Sequence, residues 1–320
     1  MGEHLTVTPT SRRTTPARRP GAWERIRRDP LPHVFTLVWL LQPLTAGPLL
    51  DQTVRGRSTA VGWTITIGAW ALWTVVLIAS LLRHPVGLTV IRTGATAAAP
   101  LAVAAALSAG DPSTPAIVAA VAGVCVAAAL SLTPEVGASH ISGAAYGDEV
   151  RLPLRVPIPL LMAAIPAALA AVLLPVVGVL LLVAGRPVVG GLTAVVGLAA
   201  AVVGVKALHG LSRRWVVFVP AGVVIHDPLS SSDAFLIRRS KLVYLGPAPA
   251  DLDLESPDLF DATRRAAGPV LVIVVNEPIE VVALTDRRDR SEVRSVLQIA
   301  FTPTRPGAVL DTARRRGLIS

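Results

Sequence analysis

Charge is what this 320-residue chain has least of: 16% of its residues are Asp, Glu, Lys or Arg, against 52% hydrophobic. That is too little to keep an ordinary soluble protein of this size in water, and a mean hydropathy of +0.60 points the same way, to a membrane protein. Lysine is nearly missing, with Lys206 and Lys241 alone among 30 basic residues. The arginine dominance behind the net charge of +9 has the look of high-GC codon usage rather than of phosphate recognition, and no nucleic-acid partner is expected. The single cysteine, Cys125, excludes an intramolecular disulfide and a paired-cysteine zinc site. Aromatic residues make up 4%. Trp23, Trp39, Trp63 and Trp215 stand near the ends of predicted elements, as interfacial anchors do, but Trp70 and Trp73 lie deeper, where anchoring does not explain them. No phosphate-binding glycine loop, nucleophile elbow or two-histidine zinc spacing occurs, so neither catalysis nor a cofactor is expected.

Long apolar runs are what the sequence has in place of charge. Residues 1–33 read as a disordered basic tail, rich in Ser, Thr, Pro and Arg and without apolar periodicity. The Ser11–Arg12–Arg13 stretch has the look of a twin-arginine signal, but it stands too far ahead of the first apolar run to serve as one. Six uncharged or nearly uncharged runs follow, at 34–50, 60–82, 87–109, 113–132, 156–184 and 187–205. Each is close to the roughly 20 residues that a helix needs to cross a ~30 Å hydrocarbon layer. The first is short and carries Gln42, Pro43, Gly47 and Pro48, so a kinked or re-entrant segment is expected there. Arg92, in the third, is expected to snorkel toward the headgroups.

Seven arginines in the tail, with Arg25, Arg27 and Arg28 just before the first run, place the N-terminus in the cytoplasm. Six crossings return the C-terminus to the same side. Lys206, Arg213 and Arg214 then form a basic collar after the last run, expected with Arg25, Arg27 and Arg28 to anchor the protein at the membrane surface.

In the last run Gly190, Ala194, Gly197, Ala201 and Gly204 alternate spacings of four and three, which sets small residues on one helix face for close helix packing. The packing partner is another helix of the same bundle or, as the alternative, a second copy of the chain. Pro166 and Pro175 interrupt the fifth run, a pattern found in transporters where freed carbonyls meet substrate. With Gln42, they motivate a second reading as a small-molecule transporter or channel. Against it, the six runs contain no Asp, Glu or Lys, and ion-coupled transport usually needs an ionisable group inside the bilayer.

Outside the runs, the loop 133–153 gathers Glu135, His140, Tyr146, Asp148 and Glu149. One histidine without a spaced partner is a poor metal ligand set, so a solvated loop is expected. His209 belongs to the basic collar, and His226 is expected as a polar residue at a strand end.

From Arg213 onward the runs shorten to strand length, and the charges, 15 basic against 13 acidic, suit water. The run 215–219 and the run 222–226 form a hairpin around a Pro-Ala-Gly turn. Trp215, Val217 and Val219 fall on one side of the first strand and Val216 and Phe218 on the other. A second pair follows at 234–239 and 241–246, then a short helix from Ser256 to Gly268. A third pair turns around Glu277–Pro278, and 293–301 is taken as the seventh strand. A final helix, capped by Thr304, starts beside Pro306, pairs Asp311 with Arg314 or Arg315 and stops at Gly317.

Seven strands and a closing helix resemble, in element order, the bacterial pleckstrin-homology-like (PH-like) domains attached to membrane proteins. Blocks along the chain also resemble an uncharacterised family of actinobacterial multi-pass membrane proteins. They are QPLTAGP from Gln42, TPEVG from Thr133, YGDE from Tyr146, HGLSRRW from His209, FVPAGVVIHDPL from Phe218 and PTRPGAVL from Pro303. That resemblance implies membrane location and architecture and carries no activity. The expected organisation is a tail (1–33), a helical transmembrane bundle (34–206) and an independently folding cytoplasmic PH-like barrel (207–320). The expected role is that of a non-enzymatic cell-membrane protein whose C-terminal domain meets a protein partner or anionic lipid headgroups.

Overall fold

The computed structural model describes residues 29–143, 145–284 and 291–319. The chain divides into two units, Met1–Pro30 and Leu31–Ser320. The expected anchors Arg25, Arg27 and Arg28 lie outside the described residues.

Among the described residues, six spans of 18 to 26 residues are long and apolar enough to cross a bilayer, which makes this a multi-pass membrane protein. The first consists of α1 (Leu31–Leu40) and α2 (Gln42–Val54), broken at Leu41. The break has a cause. Pro43 has no N–H for the Trp39 carbonyl one turn earlier, and that carbonyl instead accepts the indole N–H of Trp73 at 3.0 Å. Trp39 returns the bond, donating its own indole N–H to the Trp73 carbonyl at 2.9 Å. This pairing is what places Trp73 deep in α3 (Thr59–Leu81). The remaining spans are α4 (Pro85–Ser108), α5 (Thr114–Ser131), α7 (Ile158–Val183) and α8 (Pro187–Leu211); α6 (Pro134–Gly143) is a short helix between spans.

The glycine stripe of α8 faces α7. A Cβ added to Gly190 would stand 2.6 Å from the Leu182 nitrogen, one on Gly197 2.5 Å from the Pro175 nitrogen, and one on Gly204 3.1 Å from the Ala167 carbonyl. Ala194 closes the same seam from the other side, its nitrogen 2.5 Å from where Gly178 would carry a Cβ, while Ala201 lies half-buried on the same stripe. The small residues thus serve packing within the bundle. The opposite side of α8 exposes Val188, Leu192, Val195, Leu198 and Val203, as a lipid-facing surface does. Gly197→Leu is expected to cost roughly 1–3 kcal/mol by overpacking and to lower the thermal midpoint in detergent. Gly191→Leu, at a position with open space around the new side chain, is expected to leave it unchanged.

Among the described residues, eight strands make two four-stranded sheets, ordered β1-β2-β3-β4 and β5-β7-β8-β6. The first strand is unexpected. β1 (Val150–Pro153) comes from the loop between the fourth and fifth spans and pairs antiparallel with β2 (Trp215–Val219). The α7–α8 hairpin is therefore inserted between two neighbouring strands of one sheet. This corrects the boundary at 207, since the sheet unit begins at 150, and it removes most of the solvated loop that the sequence suggests at 133–153.

β2 and β3 (Gly222–His226) form the expected hairpin, and Gly222 is required there because a Cβ would stand 2.0 Å from the Ile237 carbonyl of β4 (Phe235–Arg238). The expected pairing of β4 with β5 (Leu242–Pro247) does not occur. A 3-10 turn at Arg239–Lys241 sends them to different sheets, β4 to β3 and β5 to β7 (Leu271–Leu284). Nor does the chain turn back at Glu277–Pro278, because β7 runs on through it. The ladder to β8 (Ser291–Phe301) skips between Val274 and Ile279, so the proline, which has no N–H to give, sits where no ladder bond is needed. The segment read as a helix at 256–268 holds β6 (Leu259–Asp261), parallel to β8, followed by a turn in which Asp261 accepts the Thr263 N–H at 2.7 Å. Sheet pairing and this Asx turn outweigh the helix signals. The described strands do not close into a barrel; isolated bridges, Leu154 to Pro303 and Ser231 to Ala283, stitch the two sheets instead.

The last helix, α9 (Pro306–Arg315), starts and stops as expected, with Asp311 to Arg314 at 3.0 Å and Gly317 at φ +62°. Thr304 does not cap it. Its hydroxyl donates to the Pro153 carbonyl of β1 at 3.1 Å, and its N–H to the same oxygen at 2.9 Å.

Candidate functional site

Alternation along β2 gives the strand two buried faces. Val216 and Phe218 enter the core between the sheets, with Ile225, Ile273, Ile299, Phe301 and Val309 of α9. Trp215 and Val217 point the other way, into a cluster with Phe35, Val76, Leu88, Ile91, Val136 and Ile141 from one end of the helix bundle. The sheet therefore caps the bundle and shares a core with it.

The roots of the inserted hairpin meet at a buried ion pair. Arg214, which the basic-collar reading sets at the membrane surface, is 1% exposed and inside the protein, so that assignment is corrected. Its Nε and Nη2 each donate to a carboxylate oxygen of Asp227 at 2.7 Å, while Nη1 and Nη2 donate to the carbonyls of Arg155 and Ala262 at 2.5 and 2.9 Å. Asp227 also accepts from the Ser230 hydroxyl at 2.5 Å and the Leu229 N–H at 3.1 Å. Arg155 precedes α7 and Arg214 follows α8, so one guanidinium clamps both ends of the hairpin to β3 and to the chain after β6. The hairpin register carries the signal that sequence reasoning misses: the Pro220–Ala221 turn sets Trp215 against His226, which places Arg214 opposite Asp227, while the two carbonyls that complete the site come from distant segments. Lys206 and Arg213 are exposed.

Beside the clamp, on the bundle-facing side, Trp215 stacks on His226 at 4.9 Å between ring centres, and the Arg151 guanidinium lies 5.8 Å from the Trp215 ring. Burial holds the His226 imidazole below its usual range, reinforced by Arg213 and opposed by Asp227. The loop cluster is dispersed. His140 is buried in α6 with Nδ1 2.9 Å from the Val136 carbonyl; Glu149 pairs with Arg151 at 2.8 Å; and Tyr146 is 86% exposed. Burial also lowers the His140 imidazole, opposed by the Val136 and Ala79 carbonyls and reinforced by the positive charges of Arg83 and Arg92. Arg92 reaches the end of the fourth span, with Nε 3.4 Å from the Ser131 carbonyl and Nη2 2.9 Å from where Gly137 of α6 would carry a Cβ. Among the described residues no group of three or more His, Cys, Asp or Glu could hold a metal ion. Of the features behind a transport path, Pro175 faces α8 in the tight seam, and Gln42 is 6% exposed, its side chain reaching Thr45 and the Val38 carbonyl.

The two lowered imidazoles make stability depend on pH. Near and below 6.5, their ordinary value, the unfolded chain takes up protons that the folded protein refuses. Stability is complete above that pH, falls as pH drops through it, and levels off below the folded pKa values. The thermal midpoint in detergent is expected to hold between pH 8 and 7 and decline toward pH 5, and His226→Asn should remove part of the decline.

No family model, curated protein or solved structure matches this chain.

Proposed function

We propose that this is a non-enzymatic protein of the cell membrane, of the actinobacterial multi-pass kind, that holds a PH-like sheet unit at the cytoplasmic face as a docking module for a protein or for lipid headgroups. The observation that carries the reading is the insertion of α7–α8 between β1 and β2, with Trp215 and Val217 packed into the end of the bundle. A sheet whose own strands send out a membrane hairpin cannot leave the membrane surface, so its partners must be met there. The spans serve it as a fixed mount, and the open edges of the sheets are available for strand addition.

Two measurements test this. Reporter fusions after Arg28 and after Ser320 should both read cytoplasmic. Photo-crosslinkers placed on exposed positions of the sheets in native membranes should capture a reproducible protein or lipid partner. Reporters on opposite sides would refute the orientation, and crosslinks confined to bulk zwitterionic lipid would refute a docking role.

A further inference from the structure

The sheet surface that caps the bundle extends past it. Register sets its side chains in rows: Trp215 beside His226, then Val217, Val224 and Leu236, then Val219, Gly222 and Arg238. Residues directly opposite in a ladder share a face. Trp215 and Val217 are buried in the bundle's cluster, and Val219 and Val224 pack against it. Leu236, at 41%, and Arg238 are exposed although they point the same way. A strip along the edge strand β4 thus continues the bundle-facing side of the sheet past the helices and is exposed there. Beside it lies an open depression lined by Pro220, Ala221, Leu236, Arg238, Arg239 and Ser240, which offers two guanidinium groups and no carboxylate. One Nη of Arg239 donates to the Gly317 carbonyl at 2.8 Å, which holds that side chain at the rim.

We infer that this strip binds the headgroups of anionic phospholipids in the surrounding bilayer. Its surface continues the interface with the spans, so lipid is what it meets. Leucine beside arginine is the pairing that enters the headgroup boundary, the apolar side chain toward the acyl chains and the guanidinium on phosphate. A soluble protein would have to displace lipid to reach it. The inference rests on the placement of the sheet unit at the membrane surface proposed above.

The test uses the full chain with Cys125→Ser and Ser240→Cys, labelled with a fluorophore at position 240. It is set in nanodiscs of phosphatidylcholine containing a headgroup spin-labelled lipid, with graded amounts of phosphatidylglycerol. The expected result is quenching in all discs that rises with the anionic fraction and weakens in high salt. Arg238→Gln should raise the anionic fraction needed about fivefold, the weight of roughly one cation at an anionic surface, and Arg238→Lys should keep most of the effect. Quenching that ignores phosphatidylglycerol, or that Arg238→Gln leaves unchanged, overturns the headgroup site while sparing the placement. No quenching in any disc overturns both. Competition by free glycerol phosphate makes this a site for soluble anions and also overturns the inference.

Discussion

Replacing Arg214 with Met is expected to cost about 3–5 kcal/mol, enough to remove most folded protein from a detergent extract. The loss comes from what the substitution leaves behind. Asp227, with a side chain 0% exposed, would keep only Ser230 and Leu229 as donors, and the carbonyls of Arg155 and Ala262 would lose theirs. Removing both charges in Arg214→Met/Asp227→Leu should recover part of the stability but not all, because those two carbonyls still lack their donor. Arg213→Met, one residue away and exposed, should change the thermal midpoint little. If Arg214→Met melts like the parent protein, the clamp at the root of the hairpin contributes nothing. If the double variant is no better than the single one, the damage does not come from a stranded carboxylate.

The second large effect concerns the fragment 213–320, which the sequence presents as a domain able to fold alone. It is expected to aggregate without a cooperative melt. Without β1, the edge of β2 is open, and Thr304 and Arg214 lose their partners Pro153 and Arg155. Leu152 and Leu154, 8% and 3% exposed, are withdrawn from the core between the sheets; their burial is worth roughly 1.5–3 kcal/mol each. Trp215 and Val217 lose the bundle and face water. Joining 145–155 to 213–320 through a flexible linker in place of α7 and α8 should restore a sheet-rich circular dichroism spectrum and a cooperative transition. Adding Trp215→Thr and Val217→Thr should keep that protein soluble. A cooperative melt of 213–320 alone would show that the sheets do not need β1.

What could be read from the sequence and what could not divide by the range of the interaction. The six spans are legible because the bilayer imposes one requirement, about 20 apolar residues, on each run separately. The β2–β3 hairpin, the two faces of β2, β8 and the end of α9 at Gly317 are legible because turn residues and two-residue alternation act within a few positions. The glycine stripe of α8 announced close packing, although its partner, α7, became known only from the fold. Failures occur where a distant segment outbids a local signal. Residues 150–153 carry no strand pattern of their own, and their edge pairing with β2 comes from 62 or more positions away, across a membrane hairpin. The punctuation for a helix at 256–268 is complete, yet β8 offers Leu259 and Phe260 a buried ladder that an isolated short helix cannot match. Arg214 looked like a surface cation because charge next to a span usually is one. Only the tertiary structure, by bringing Asp227 and two carbonyls to within hydrogen-bonding distance, could make burying it cheaper than leaving it in water.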